Sequence, residues 1–160
     1  MRFRRADRLP DDVRAGLPVQ PGERVVATAR DGAEGWVAAT DQALIAQGRR
    51  TPWTDVVHAQ WYDEEQVLTM DLAPGAGPAV RLRLDEPGRV PETVHERVMA
   101  SIVLSRRVSL PGGAARIVAR RGGSDETLWQ VVPDAGTDLA DPAVRARVDA
   151  VLAELRSELG

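Results

Sequence analysis

Between Glu23 and Leu84 apolar and polar side chains alternate in short runs, with turn residues between the runs and no helical period interrupting them. A period of two places successive side chains on opposite faces of a sheet, so this stretch predicts a meander of antiparallel strands. Arg24–Arg30 sets Val25, Ala27 and Ala29 against Arg24, Val26, Thr28 and Arg30, and Asp31-Gly32-Ala33-Glu34-Gly35 then turns the chain. Trp36–Thr40 returns, Asp41-Gln42 makes a tight connection, and Ala43–Gln47 is the third strand. Gly48-Arg49-Arg50 reads as another turn, Pro52 interrupts the ladder because it has no N–H, and the fourth strand is Val56–Tyr62. Val67–Leu72 and Val80–Leu84 are the cleanest alternations, with Leu68, Met70 and Leu72, then Val80, Leu82 and Leu84, facing inward. A one-residue slip in the last strand would bury Arg81 and Arg83, so its register is well specified.

The period changes after Pro87-Gly88. Pro91 suits the first helical position, and Val94, Val98, Ile102 and Val103 recur at helical spacing through Arg106, predicting a helix of about four turns that caps the sheet. Arg107–Leu110, Ala115–Arg121 and Thr127–Val132 read as shorter strands that extend the first sheet or form a second, the last two joined by Gly122-Gly123-Ser124-Asp125-Glu126. The closing helix is marked by Asp141 as N-cap, Pro142 at the first position and a stripe of Val144, Val148, Val151, Leu152, Leu155 and Leu159. Residues 1–21 carry Arg2, Arg4, Arg5 and Arg8, then acids and prolines, with no periodic apolar face. They read as a solvated N-terminal arm before a single domain over 22–160.

The order of strands followed by one helix resembles a pleckstrin-homology-like barrel of the bacterial type. The resemblance rests on Leu17-Pro18 through Gly22-Glu23-Arg24-Val25-Val26, on Ala39-Thr40-Asp41-Gln42-Ala43-Leu44-Ile45, and on Thr51-Pro52-Trp53-Thr54-Asp55-Val56. It covers about residues 17–104, and small actinobacterial proteins look similar along the whole length. It implies an α+β fold, an antiparallel barrel or half-barrel with a capping helix, extra C-terminal strands and a terminal helix. Six strands are countable before the helix where such a barrel has seven, and the C-terminal third has no counterpart in a minimal domain of this kind.

Composition narrows the chemistry. In 160 residues there is no cysteine, which removes disulfides, thiol redox chemistry and sulfur-ligated zinc. No apolar run approaches the roughly 18 residues of a membrane helix, and Met1-Arg2-Phe3-Arg4-Arg5 is followed by no apolar segment of a secretory signal, so the expected location is the cytoplasm. All 21 basic residues are arginine, and the net charge of −3 argues against nucleic acid as a partner and disfavours an anionic membrane surface.

The only histidines, His58 and His95, sit in no catalytic or metal-binding motif; His95-Glu96 lacks the second histidine four residues on, and alternation turns His58 outward. Gly75 and Gly77, and Gly112 and Gly113, open no helix that could cradle phosphate, and Asp63-Glu64-Glu65 is a hairpin tip without the spaced ligands of a calcium loop. No catalytic residue, cofactor or metal site is therefore expected. The first hairpin loop, where phosphoinositide-binding relatives of the resemblance carry cations, here holds two acids and no base. Arg49-Arg50 with Arg120-Arg121 is the best remaining basic cluster. Tryptophan is the dominant aromatic and is expected in the core. Trp53, beside Pro52 in a bend, is the candidate for partial exposure, against a reading in which it fills the barrel mouth.

The expectation is a non-enzymatic protein-interaction or adaptor module, with Trp53 and the Arg49-Arg50 turn on the rim of the sheet as its contact surface. The alternative is anionic-lipid binding through the arginines, and an apolar ligand inside the barrel is a third possibility.

Overall fold

The structure is a computed structural model that describes residues 9–32, 35–121 and 126–159. It is α+β and divides into two compact units, one of Met1–Ser101 with Arg121–Glu126, the other of Ile102–Arg120 with Thr127–Gly160. In the N-terminal segment, α1 (Asp11–Gly16) is a six-residue helix that buries none of its side chains.

The first unit is built on seven strands: β1 (Val25–Asp31), β2 (Gly35–Thr40), β3 (Ala43–Ala46), β4 (Arg49–Pro52), β5 (Val56–Tyr62), β6 (Val67–Leu72) and β7 (Val80–Glu86). They form one sheet in the order β4-β3-β2-β1-β7-β6-β5, antiparallel at each pairing. The sheet is not closed. The β1–β7 seam is short and irregular, pairing Arg30 with Glu86 and Asp31 with Leu84. Its two edge strands, β4 and β5, are consecutive in sequence and joined only by the 3-10 turn Trp53–Asp55. Three residues span about 10 Å at most, so the sheet must curl until its edges nearly meet at that corner.

Strand β4 corrects the sequence reading, which treated Gly48-Arg49-Arg50 as a turn and counted six strands. The turn is one residue earlier: Gln47 and Gly48 both have positive φ, 52° and 71°, the conformation of a two-residue hairpin matched to strand twist. Arg49, Arg50, Thr51 and Pro52 then pair with Ala46, Ile45, Leu44 and Ala43. Pro52 is tolerated because the strand is at the edge.

α2 (Val90–Ala100) packs Val90, Val94 and Val98 onto a core of Val37, Leu44, Trp53, Val56, Leu68, Met70, Leu82 and Leu84. Burying each leucine fully is worth about 1.5–3 kcal/mol, and the inward faces of β6 and β7 are the ones their alternation specifies. The helix is shorter than predicted. It ends at Ala100, and Ile102 and Val103 begin β8, because β-branched residues at that spacing satisfy a helical stripe and a strand equally well until pairing decides.

In the second unit β8 (Ile102–Leu110) pairs antiparallel with β9 (Gly113–Arg121), and β10 (Thr127–Pro133) lies on the other side of β9. The three form a separate sheet. α3 (Pro142–Leu159) lays Val144, Val148, Val151 and Leu155 on Val108, Leu110, Ala115 and Ile117. The Asp141 carboxylate accepts from the N–H groups of Ala143 (2.9 Å) and Val144 (3.3 Å), the expected N-cap.

Candidate functional site

The residues singled out in sequence do not form one exposed patch. Trp53 is core: it is 3% exposed, its indole N–H donates to the Thr40 carbonyl at 2.9 Å, and its backbone N–H donates to Gln42 O at 3.1 Å. Of the two readings of Trp53, partial exposure is overturned and an interior position holds, because the 3-10 turn joining the sheet edges aims the indole under α2 instead of outward. The other three tryptophans are half-buried. Trp36 stacks under the Arg30 guanidinium (5.0 Å), Trp129 lies near Arg156 (5.9 Å), and Trp61 donates its indole N–H to Asp63 (3.2 Å).

The arginines have partners. Arg49 donates to the carbonyls of Ala76 (3.1 Å) and Pro78 (3.3 Å), tying β4 to the β6–β7 loop across the gap that the strands leave unpaired. Arg50 pairs with Glu23 at 3.1 Å, and the Glu23 side chain is fully buried. Burial pushes the Glu23 carboxyl up. Donation from Thr40, from the Gln20 N–H and from Arg50, with the charge of Arg50, outweighs that and holds it below the usual carboxylate range. Arg120 is 2% exposed and donates to Gln130 at 2.8 Å, and burial pulls its guanidinium down. It cannot contribute to a surface cluster. Arg121 is exposed. Ala33 and Glu34 of the acidic first hairpin loop, and residues 122–125 of the later glycine loop, lie outside the described residues.

His58 and His95 are both exposed. Among the described residues no group of three or more histidine or carboxylate side chains could hold a metal ion, and no helix is long and apolar enough to cross a membrane.

What sequence reasoning did not single out is the contrast between the two edges of the seven-stranded sheet. β4 has four residues, two of them arginine and one proline, the devices by which an edge is kept from pairing with another chain. β5 has seven residues, Val-Val-His-Ala-Gln-Trp-Tyr, with no lysine, arginine, acid or proline among them. Among the described residues it pairs with β6 alone. One irregularity, between Val56 and His58, interrupts that pairing, and from His58 to Tyr62 the register is continuous.

Beside β5 runs a groove of about 440 Å³. Its floor is apolar, from Ala59 and Trp61 of β5, Leu68 of β6, and Pro91 and Val94 of α2. Glu92, His95 and Glu96 form the lip on the helix, and Gln60 lies on the strand side. The helix stripe that buries Val90, Val94 and Val98 necessarily turns Glu92, His95 and Glu96 outward, since residues three and four apart share a face. No sequence signal marks this site: in a simple meander β5 would lie between β4 and β6, and it becomes a sheet edge only because β1 pairs with β7.

No family model, no curated protein and no solved structure matches the chain.

Proposed function

We propose that the first unit is a pleckstrin-homology-like half-barrel that serves as a non-catalytic protein-interaction module, and that its contact surface is the β5 edge with the groove between β5 and α2. The observation that carries this reading is the unguarded edge: a seven-residue strand without a charge or proline, paired on one side, next to an apolar groove. Such an edge presents a row of N–H and C=O groups to an extended partner, whose main chain supplies affinity and whose side chains enter the neighbouring groove. The half-barrel reading draws on the seven-strand meander, the short β1–β7 seam and the helix that follows. The anionic-lipid alternative draws less support, since Arg49 and Arg50 are engaged within the first unit and Arg120 is buried.

The test is capture of partners from native cytoplasm by wild type and by a His58→Lys/Gln60→Lys variant, with equal melting temperatures established first. Both positions are exposed, so the lysines blunt the edge without disturbing the core. Partners lost with the variant support the reading. Partners retained in full, or recovery of the protein only on anionic vesicles, would reject it.

A further inference from the structure

Resting on that reading of β5, we propose that the segment it accepts is basic: an extended stretch of another protein, apolar at alternate positions and carrying arginine or lysine near them. The geometry and charge around the edge point one way. Ala59 and Trp61 face the groove floor from the strand, Gln60 between them borders the groove, and His58, Gln60 and Tyr62 are exposed, so an added strand would place every second side chain over the apolar floor. Across that floor stand Glu92 and Glu96, one helical turn apart and both exposed. Glu96 has no ion pair among the described residues. Glu92 is near Arg89 at 3.8 Å, a long contact between two largely exposed groups that is worth little and is easily exchanged.

The end of the edge carries the same sign. The turn that leaves β5 is Asp63-Glu64-Glu65, all exposed, and among the described residues only the Asp63 carboxylate of the three accepts a hydrogen bond, from the Trp61 indole. The strand itself contributes no charge to offset them. Arg97, the one arginine within α2, lines a different hollow, with Asp41, Gln42, Trp53 and Arg121. An acidic segment laid along β5 would meet five carboxylates, from Asp63, Glu64, Glu65, Glu92 and Glu96. A basic one would find complementary charge at the lip and at the strand end, which steers encounter and fixes the direction of the added strand.

A matched set of synthetic peptides of about ten residues, sharing alternating valines and carrying arginine, serine or glutamate between them, tests this on the full chain. Affinity is read by fluorescence anisotropy and the site by amide hydrogen exchange. The arginine peptide is expected to bind roughly three- to tenfold tighter than the serine peptide, to weaken as salt rises, and to protect the amides of His58–Tyr62. Glu92→Gln/Glu96→Gln should reduce that preference and leave binding of the serine peptide unchanged. Equal binding of all the peptides with β5 protected would overturn the basic specificity and leave strand addition standing. No protection of β5 by any peptide, or protection of β5 that appears with rising protein concentration alone, as two copies pair, would overturn the acceptance of a foreign strand itself.

Discussion

Glu23 and Arg50 are separated by 27 residues, yet the Glu23 Oε2 accepts from Arg50 Nη2 at 3.1 Å. The same oxygen accepts from the Gln20 N–H at 2.9 Å, and the other carboxylate oxygen accepts from the Thr40 hydroxyl. One buried carboxylate thus ties the entry to β1, the end of β2 and the edge strand β4. Thr40 also accepts from the N–H groups of Gln42 (3.0 Å) and Ala43 (2.9 Å), so the clasp is continuous with the β2–β3 turn.

Because the folded-state pKa of Glu23 is depressed, its contribution to stability is present above the ordinary carboxylate value of about 4.3 and is lost as pH falls through the folded value. Glu23→Gln is expected to cost about 1–3 kcal/mol at neutral pH. The variant should also lose less stability than wild type between neutral pH and the region below pH ~4. Urea unfolding midpoints at several pH values measure both. Parallel curves for the two proteins would mean that Glu23 titrates alike in the folded and unfolded chains.

Arg50→Ala leaves the Glu23 carboxylate buried without its cation and should cost about 3 kcal/mol, the low end for breaking a buried pair, because Arg50 keeps some solvent contact. Removing both partners as Glu23→Gln/Arg50→Ala should cost less than the sum of the single losses. A double-mutant cycle by chemical denaturation gives the coupling.

Trp53→Ala should cost about 3–5 kcal/mol through the cavity it opens under α2, whereas Trp53→Phe keeps most of the packing and loses the bond to Thr40 O, at about 1–2 kcal/mol. Neither substitution touches β5. In Trp53→Phe, capture of a partner by the folded protein should match wild type, which separates a core role from a contact role.

Gly77 has φ of 111°, and a Cβ there would lie 2.5 Å from Arg49 Nη2. Gly77→Ala should destabilise by about 1–3 kcal/mol, from backbone strain and from displacing the guanidinium that ties β4 to the β6–β7 loop. In an Arg49→Ala background the second part vanishes and only the strain remains. Thermal melts of the four proteins resolve the difference, and an equal cost of Gly77→Ala in both backgrounds would show that the guanidinium moves aside freely.

Local pattern alone determined much of this protein. The alternations of β6 and β7 placed Leu68, Met70, Leu82 and Leu84 inward, where they are buried, and the cap and stripe of α3 placed Asp141, Val144, Val148, Val151 and Leu155 as found. These elements bury a large apolar face, so their period is written in consecutive residues. β4 was not legible, because an edge strand of Arg-Arg-Thr-Pro buries little and carries no period, and what makes it a strand is pairing with β3. The end of α2 was not legible either, since Ile102 and Val103 fit both periods and the partner strand β9 decides between them. Trp53 followed the same rule: neighbours at Thr40 and along α2, not its own proline bend, set its burial. The β5 edge and its groove belong wholly to the tertiary level. Which strand ends a sheet depends on the order in which strands pair, and pairing order is a property of contacts between residues far apart in the chain, on which the alternation within any one strand is silent.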